Sequence, residues 1–161
     1  MKNLIIVRHA KSSWEVSLHD KDRALTKRGI QDAHLVSSDI SHFIPKTYLI
    51  WTSTAKRATD TALIFAQNLA YPIDCIIYKD DLYTFDEKKL EKAIKSCSNS
   101  FENIILFGHN GAVTNFVNKF GDVFVENIPT TGFVSLEFDT ENWKKIKKGK
   151  IKKIIFPKDL R

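Results

Sequence analysis

The 161-residue chain is short of the residues that define several protein classes. Its two cysteines, Cys75 and Cys97, are too few for a disulfide scaffold and have no metal-ligand spacing. Both read as small core hydrophobes. With six glycines and four prolines, the chain has no linker, low-complexity tract or collagen-like period. No apolar run approaches the ~20 residues of a membrane span. The stretch at residues 1–7 turns charged at Arg8, too early for a signal peptide. A Walker-type lysine loop, a cysteine nucleophile motif and a metal cluster are all missing. The expectation is a cytoplasmic protein with no metal, no cofactor and no membrane partner.

What is present is ordinary globular material, 43% hydrophobic and 27% charged, of a length that suits one domain over residues 1–161. The net charge of +6 is unevenly placed. Eight lysines and no acidic residue lie between Lys144 and Lys158, and the rest of the chain has 17 basic against 19 acidic residues. Those lysines lack interleaved arginines and stacking aromatics, so no nucleic-acid partner is expected. Lysines that protect an edge strand from unwanted pairing are the preferred reading.

Apolar runs alternate with helical periodicity. Residues 3–7 read as a buried parallel strand, and residues 8–25 as polar and irregular. Thr26 caps a helix reaching about residue 43, with Ile30, Ala33, Val36, Ile40 and Phe43 inward, and Pro45 ends it. Strands are then expected at 48–51, 73–78 and 103–107, followed by helices at 55–69, 87–97 and 112–120. Phe116, Phe120 and Phe124 read as a core stripe, and two further β segments lie at 133–138 and 150–156. Four strand–helix cycles predict an α/β fold with a mainly parallel central sheet flanked by helices.

In such sheets ligands bind beyond the carboxyl ends of the strands. Arg8-His9-Ala10 follows the first strand, Lys56-Arg57 the second, Asp80-Asp81 the third and Gly108-His109-Asn110-Gly111 the fourth. Two histidines and two arginines thereby converge on one rim. Arginine forks and helix N-termini suit phosphate oxygens. A histidine kept neutral among arginines has a nitrogen lone pair able to attack phosphorus. Trp14 reads equally well as lining the mouth of this site or as core, and Arg23 as a phosphate contact or as an ion-pair partner of Asp20 or Asp22.

Arg8-His9, Arg57, His109 and the stretch Arg23-Ala24-Leu25-Thr26-Lys27-Arg28-Gly29 resemble the histidine phosphatase superfamily, which includes the phosphoglycerate mutases. Chain length, the 22–29 stretch and Gly108-His109-Asn110 are most similar to its small SixA-type phosphohistidine phosphatase branch. The resemblance spans residues 4 to about 138 and implies a three-layer, phosphoglycerate mutase-like sandwich. It implies His9 as the transiently phosphorylated nucleophile, Arg8, Arg57 and Arg23 on the phosphoryl oxygens, and His109 as a further donor. Asp81 matches the place of the family's general acid. Asn110 and the Thr130-Thr131-Gly132 segment, Thr131 foremost, are candidate phosphate or rim contacts. Ala10 stands where relatives have glycine, so the loop is expected to use an ordinary backbone there. The implied substrate is phosphohistidine on a protein. Alternatives are a small phosphorylated metabolite, a phosphoserine or phosphothreonine protein, or non-catalytic phosphate binding.

Overall fold

The computed structural model describes residues 1–14 and 19–161. Part of the segment read as irregular, residues 15–18, lies outside the described residues. Six strands form one sheet: β1 (Lys2–Arg8), β2 (Leu49–Ser53), β3 (Ile77–Lys79), β4 (Asn103–Gly108), β5 (Phe133–Phe138) and β6 (Lys150–Ile155). Their order across the sheet is β3-β2-β4-β1-β5-β6. The first four are parallel to one another, β5 runs antiparallel to β1, and β6 runs antiparallel to β5, returning to the direction of the first four.

Four helices cover the two faces. α1 (Lys27–Asp39) and α2 (Lys56–Asn68) pack Ala33, Val36, Ala62 and Phe65 with Ile5, Val7, Ile105 and Phe107 on one side. α3 (Glu87–Lys95) and α4 (Ala112–Phe120) bring Leu90, Ile94, Val113 and Phe116 to Leu4, Ile6, Ile104 and Leu106 on the other. Central strands buried on both faces read as continuous apolar runs, which is why β1 and β4 stand out in the sequence. The result is the expected three-layer α/β sandwich with a mainly parallel sheet.

Local expectations fail where a segment meets solvent. α1 does start at Thr26, whose hydroxyl accepts from the Gly29 amide at 3.0 Å. It stops at Asp39 rather than near residue 43, and Ile30 is exposed. Ser37 sits one turn before the stop, with its hydroxyl turned back to the Ala33 carbonyl at 2.6 Å, a bond that competes with helix geometry. Residues 73–75 form a 3-10 turn after Pro72, not strand, leaving only a short edge strand β3 with Ile77 and Tyr78 exposed. Cys75 is exposed, whereas Cys97 is buried as expected. Gly121 ends α4, so Phe116 and Phe120 are core but Phe124 is not. β6 is an edge strand, with Lys150, Lys152 and Lys153 exposed along it.

Candidate active site

The parallel strands β1, β2 and β4 end on one rim, and a cleft of about 460 Å³ opens there. Arg8, His9, Lys11, Ser12, Trp14, Asp20, Arg23, Arg57, Phe85, Asn110 and Thr130 line it. Among the described residues four cations therefore face one carboxylate, a balance that favours an anion.

His9 follows β1 directly and is nearly buried. Its Nδ1 lies 2.7 Å from the Ala10 carbonyl oxygen. A carbonyl only accepts, so Nδ1 bears the proton and Nε2 keeps its lone pair. Burial, followed by the charges of Arg57, Arg8 and Arg23, pushes the His9 pKa down to about 4, against an opposing effect of the Ala10 hydrogen bond. The ring is neutral at physiological pH. His109, after β4, is pushed to about 3 by burial and then by its cationic neighbours. Its Nε2 lies 2.8 Å from the Ser53 hydroxyl, and its ring centroid is 5.2 Å from that of His9.

The loop after His9 is held from two sides. The Ala10 amide donates to Thr61 Oγ1 at 2.9 Å, and that hydroxyl donates to the Arg57 carbonyl at 2.7 Å. Gly29 presses α1 against the same loop, since a Cβ there would fall 2.2 Å from the Lys11 carbonyl oxygen. The glycine in Arg28-Gly29 is thus a close-approach residue. Ala10 does not have a positive φ, in line with the ordinary backbone expected of it.

Arg57 sits in the first turn of α2, almost fully buried. Its guanidinium donates to the Asp20 carbonyl at 2.6 Å and to Asp20 Oδ2 at 3.0 Å. Arg23 Nε lies 3.3 Å from Asp20 Oδ1. Tyr83 donates its hydroxyl to Asp20 Oδ2. Burial alone would raise the Asp20 carboxyl, but Tyr83 and the two arginines hold it below its ordinary value. Asp20 is therefore an anion already seated on two of the arginines.

Several buried polar atoms here have no hydrogen-bond partner among the described residues: Nε of Arg8, Arg23 and Arg57, His109 Nδ1 and Thr131 Oγ1. Buried polar groups without a partner cost free energy, and these belong to the arginines, the histidine and the threonine gathered at the strand ends.

The structure brings Arg8, His9, Arg23, Arg57, His109 and Asn110 together. The Asn110 side chain is largely committed to structure, accepting from the Thr114 amide at 3.2 Å and donating to Asn127 at 2.7 Å. Thr131 needs correction: its side chain is fully buried, and its amide donates to the Arg8 and His9 carbonyls at 3.0 and 3.1 Å. Its neighbour Thr130 lines the cleft. Asp81 is also displaced from its expected place, exposed beside Lys79 and lining a separate cavity with Lys89 and Lys92. Among the described residues the carboxylate at the cleft is Asp20, and Tyr83, Phe85 and Ser53 stand around His109. Tyr83 and Phe85 carry no sequence signal beyond standing just after β3. Among the described residues no cluster of His, Cys, Asp or Glu is placed to hold a metal ion, and no helix is long and apolar enough to cross a membrane.

Fold and site together define an α/β protein with a neutral, arginine-flanked histidine at the end of its central strand. A family model described as histidine phosphatase superfamily (branch 1) matches residues 4–82, just under half of the chain. Its fold is similar to a putative phosphohistidine phosphatase SixA from Nakamurella multipartitia, with a TM-score of 0.83, 16% identity and coverage of 97% of this chain and 96% of that one. A protein histidine phosphatase SixA complexed with tungstate matches at TM-score 0.82 and 17% identity over 99% of both chains. A mycobacterial glucosyl-3-phosphoglycerate phosphatase matches at 0.71 and 12%, over 95% of this chain and 98% of that one. In sequence, the chain is 28% identical to an uncharacterized Mycobacterium leprae protein over 67% of its length, and 43% identical to a chloroplastic Arabidopsis thaliana protein over 37%. The matched segments span 66% and 28% of those two relatives.

Proposed function

We propose that this protein is a metal-independent phosphatase working through a phosphohistidine intermediate, and that its substrate is phosphohistidine carried on a protein. The observation that carries this reading is the His9 ring, with Nδ1 committed to the Ala10 carbonyl and Nε2 bearing a lone pair among three arginines. In the first step Nε2 bonds to phosphorus in line as the bond from phosphorus to the leaving group breaks. Arg8, Arg23 and Arg57 balance the charge on the equatorial oxygens, and the neutral His109 donates a further hydrogen bond. In the second step water attacks the phosphohistidine, phosphate departs, and Nε2 recovers its lone pair.

The choice of a phosphoramidate rests on proton supply. Among the described residues the carboxylate at the cleft is Asp20, which Tyr83 and the arginines hold ionised, making it a poor acid at neutral pH. Asp81 faces elsewhere. An alkoxide leaving group needs a proton donor, whereas imidazole takes up a proton readily near neutrality. The likeness in fold to a glucosyl-3-phosphoglycerate phosphatase supports a second reading, a phosphomonoesterase for a small metabolite.

Phosphate release from a phosphohistidine peptide, compared with phosphoserine and phosphotyrosine peptides, tests the proposal with His9→Ala as control. Preference for phosphohistidine, lost in the variant, supports it. Faster turnover of an ester moves the substrate class. Turnover by His9→Ala equal to wild type overturns the mechanism, and binding without any turnover leaves a phosphate-binding module.

A further inference from the structure

Two large aromatic side chains at the cleft are left bare. Trp14 is 80% exposed and Phe85 is 55% exposed, although both line the same opening as His9. Neither is anchored in a hydrophobic core cluster. The Trp14 ring lies 3.7 Å from the Arg23 guanidinium carbon, and Phe85 packs edge-on to His109 at 5.6 Å and to Tyr83 at 6.1 Å. Each ring thus rests on a residue assigned to the phosphoryl group and presents its remaining surface to solvent at the mouth.

We propose that Trp14 and Phe85 form an aromatic rim that selects substrates whose phosphoryl group is carried on a planar ring. This deepens the phosphatase reading and rests on it. A group leaving in line opposite His9 departs through the mouth, where these two rings are the large apolar surfaces among the described residues. A planar ring gains offset or edge contacts there and covers surface that is otherwise exposed. An imidazole that leaves as its cation gains in addition from the electron-rich faces of the aromatics, an attraction that grows as the bond to phosphorus breaks. A serine or threonine side chain offers neither contact.

The rim has a readout that needs no catalysis. Phenylphosphonate and methylphosphonate carry the same headgroup on a bond that this chemistry does not cleave, and their dissociation constants are measured calorimetrically. The expected result is roughly 10-fold tighter binding of phenylphosphonate by the wild-type protein. The gap closes in Trp14→Ala/Phe85→Ala and survives in Trp14→Phe and Phe85→Tyr. Because both side chains are largely exposed, the double truncation leaves the core intact. Comparing two ligands in each variant cancels any effect passed through Arg23 or His109 to the phosphonate. Equal affinity of the two ligands for wild type, or a gap unchanged in the double variant, overturns the rim. Turnover of a phosphohistidine peptide against a phosphoserine peptide is measured in parallel. Failure of all turnover with the binding gap intact sinks the phosphatase reading while sparing the rim.

Discussion

Asp20 occupies the ground an incoming oxyanion has to take. Its carboxylate engages both Arg57 and Arg23, and Tyr83 holds it there. Replacing it with asparagine keeps the shape and removes the charge. Hydrogen bonds to a charged partner contribute about 1.5–3 kcal/mol. The Asp20 side chain is 45% exposed, so solvent screening brings this down to about 1–1.5 kcal/mol. The expected outcome for Asp20→Asn is roughly 5- to 10-fold tighter binding of a tetrahedral dianion. Sulfate is the suitable probe, since its charge is constant between pH 5 and 8. Because the Asp20 carboxyl is held below its ordinary value, the wild-type competition persists throughout that range. Isothermal calorimetry gives the two dissociation constants, and the rise in melting temperature with sulfate gives an independent check. Unchanged or weaker sulfate binding by Asp20→Asn refutes the reasoning and makes Asp20 an organiser of the arginines.

Three further outcomes follow from the site. Burial pushes the His9 pKa down to about 4, so in the ligand-free protein its ring resonances are expected to stay those of a neutral imidazole from pH 8 to about 5; an NMR titration with a midpoint near 6.5 contradicts the burial argument. Both histidines have folded pKa values below their unfolded ones, so their contribution to stability is complete above about pH 6.5 and is lost as pH falls toward 4. Urea titrations at several pH values should show that slope, flattened in His109→Asn. Gly29→Ala drives a methyl into the Lys11 carbonyl and is expected to cost about 1–3 kcal/mol and to lower turnover by shifting the loop beside His9, read by denaturation and steady-state rates. Thr61→Val leaves the buried Ala10 amide without its acceptor, for an expected loss of about 1–3 kcal/mol in denaturant unfolding.

The elements legible in the sequence are those buried on more than one side. α4 and β5 fall at the residues their patterns indicate, because burial imposes the 3.6 and two-residue periods without interruption. β3 and the end of α1 were not legible. β3 lies at the sheet edge, where Ile77 and Tyr78 meet water and apolar residues carry no information about which way they point. Past Asp39 the chain leaves the helix yet still buries Ile40 and packs Phe43 on the core, so the apolar spacing outruns the helix. The same division runs through the site. Arg8, His9, Arg57 and His109 follow strand ends directly, so local order predicts their convergence. Asp20 and Tyr83 meet across 63 residues through loops whose courses no local pattern specifies. Of the segment Thr130-Thr131-Gly132, Thr130 lines the cleft and Thr131 is buried behind it, while the short 3-10 turn at Asp80–Leu82 leaves Asp81 exposed beside Lys79.

The order of the strands also governs how the molecule can come into being. Residues 4–82 contain β1, β2 and β3, yet β1 does not touch β2, because β4 lies between them. Asn3 pairs with Asn103 and Glu137, so the strand that ends at the nucleophile finds its neighbours only after some hundred residues have followed it. Long-range pairing of this kind makes folding slow and defers it until the partners exist. On a ribosome, His9 and all three arginines of the cleft are made early but have no sheet to stand on until β4 and β5 arrive. A polypeptide halted after β3 would carry the charged residues of a phosphoryl site without the cleft that turns them toward one another.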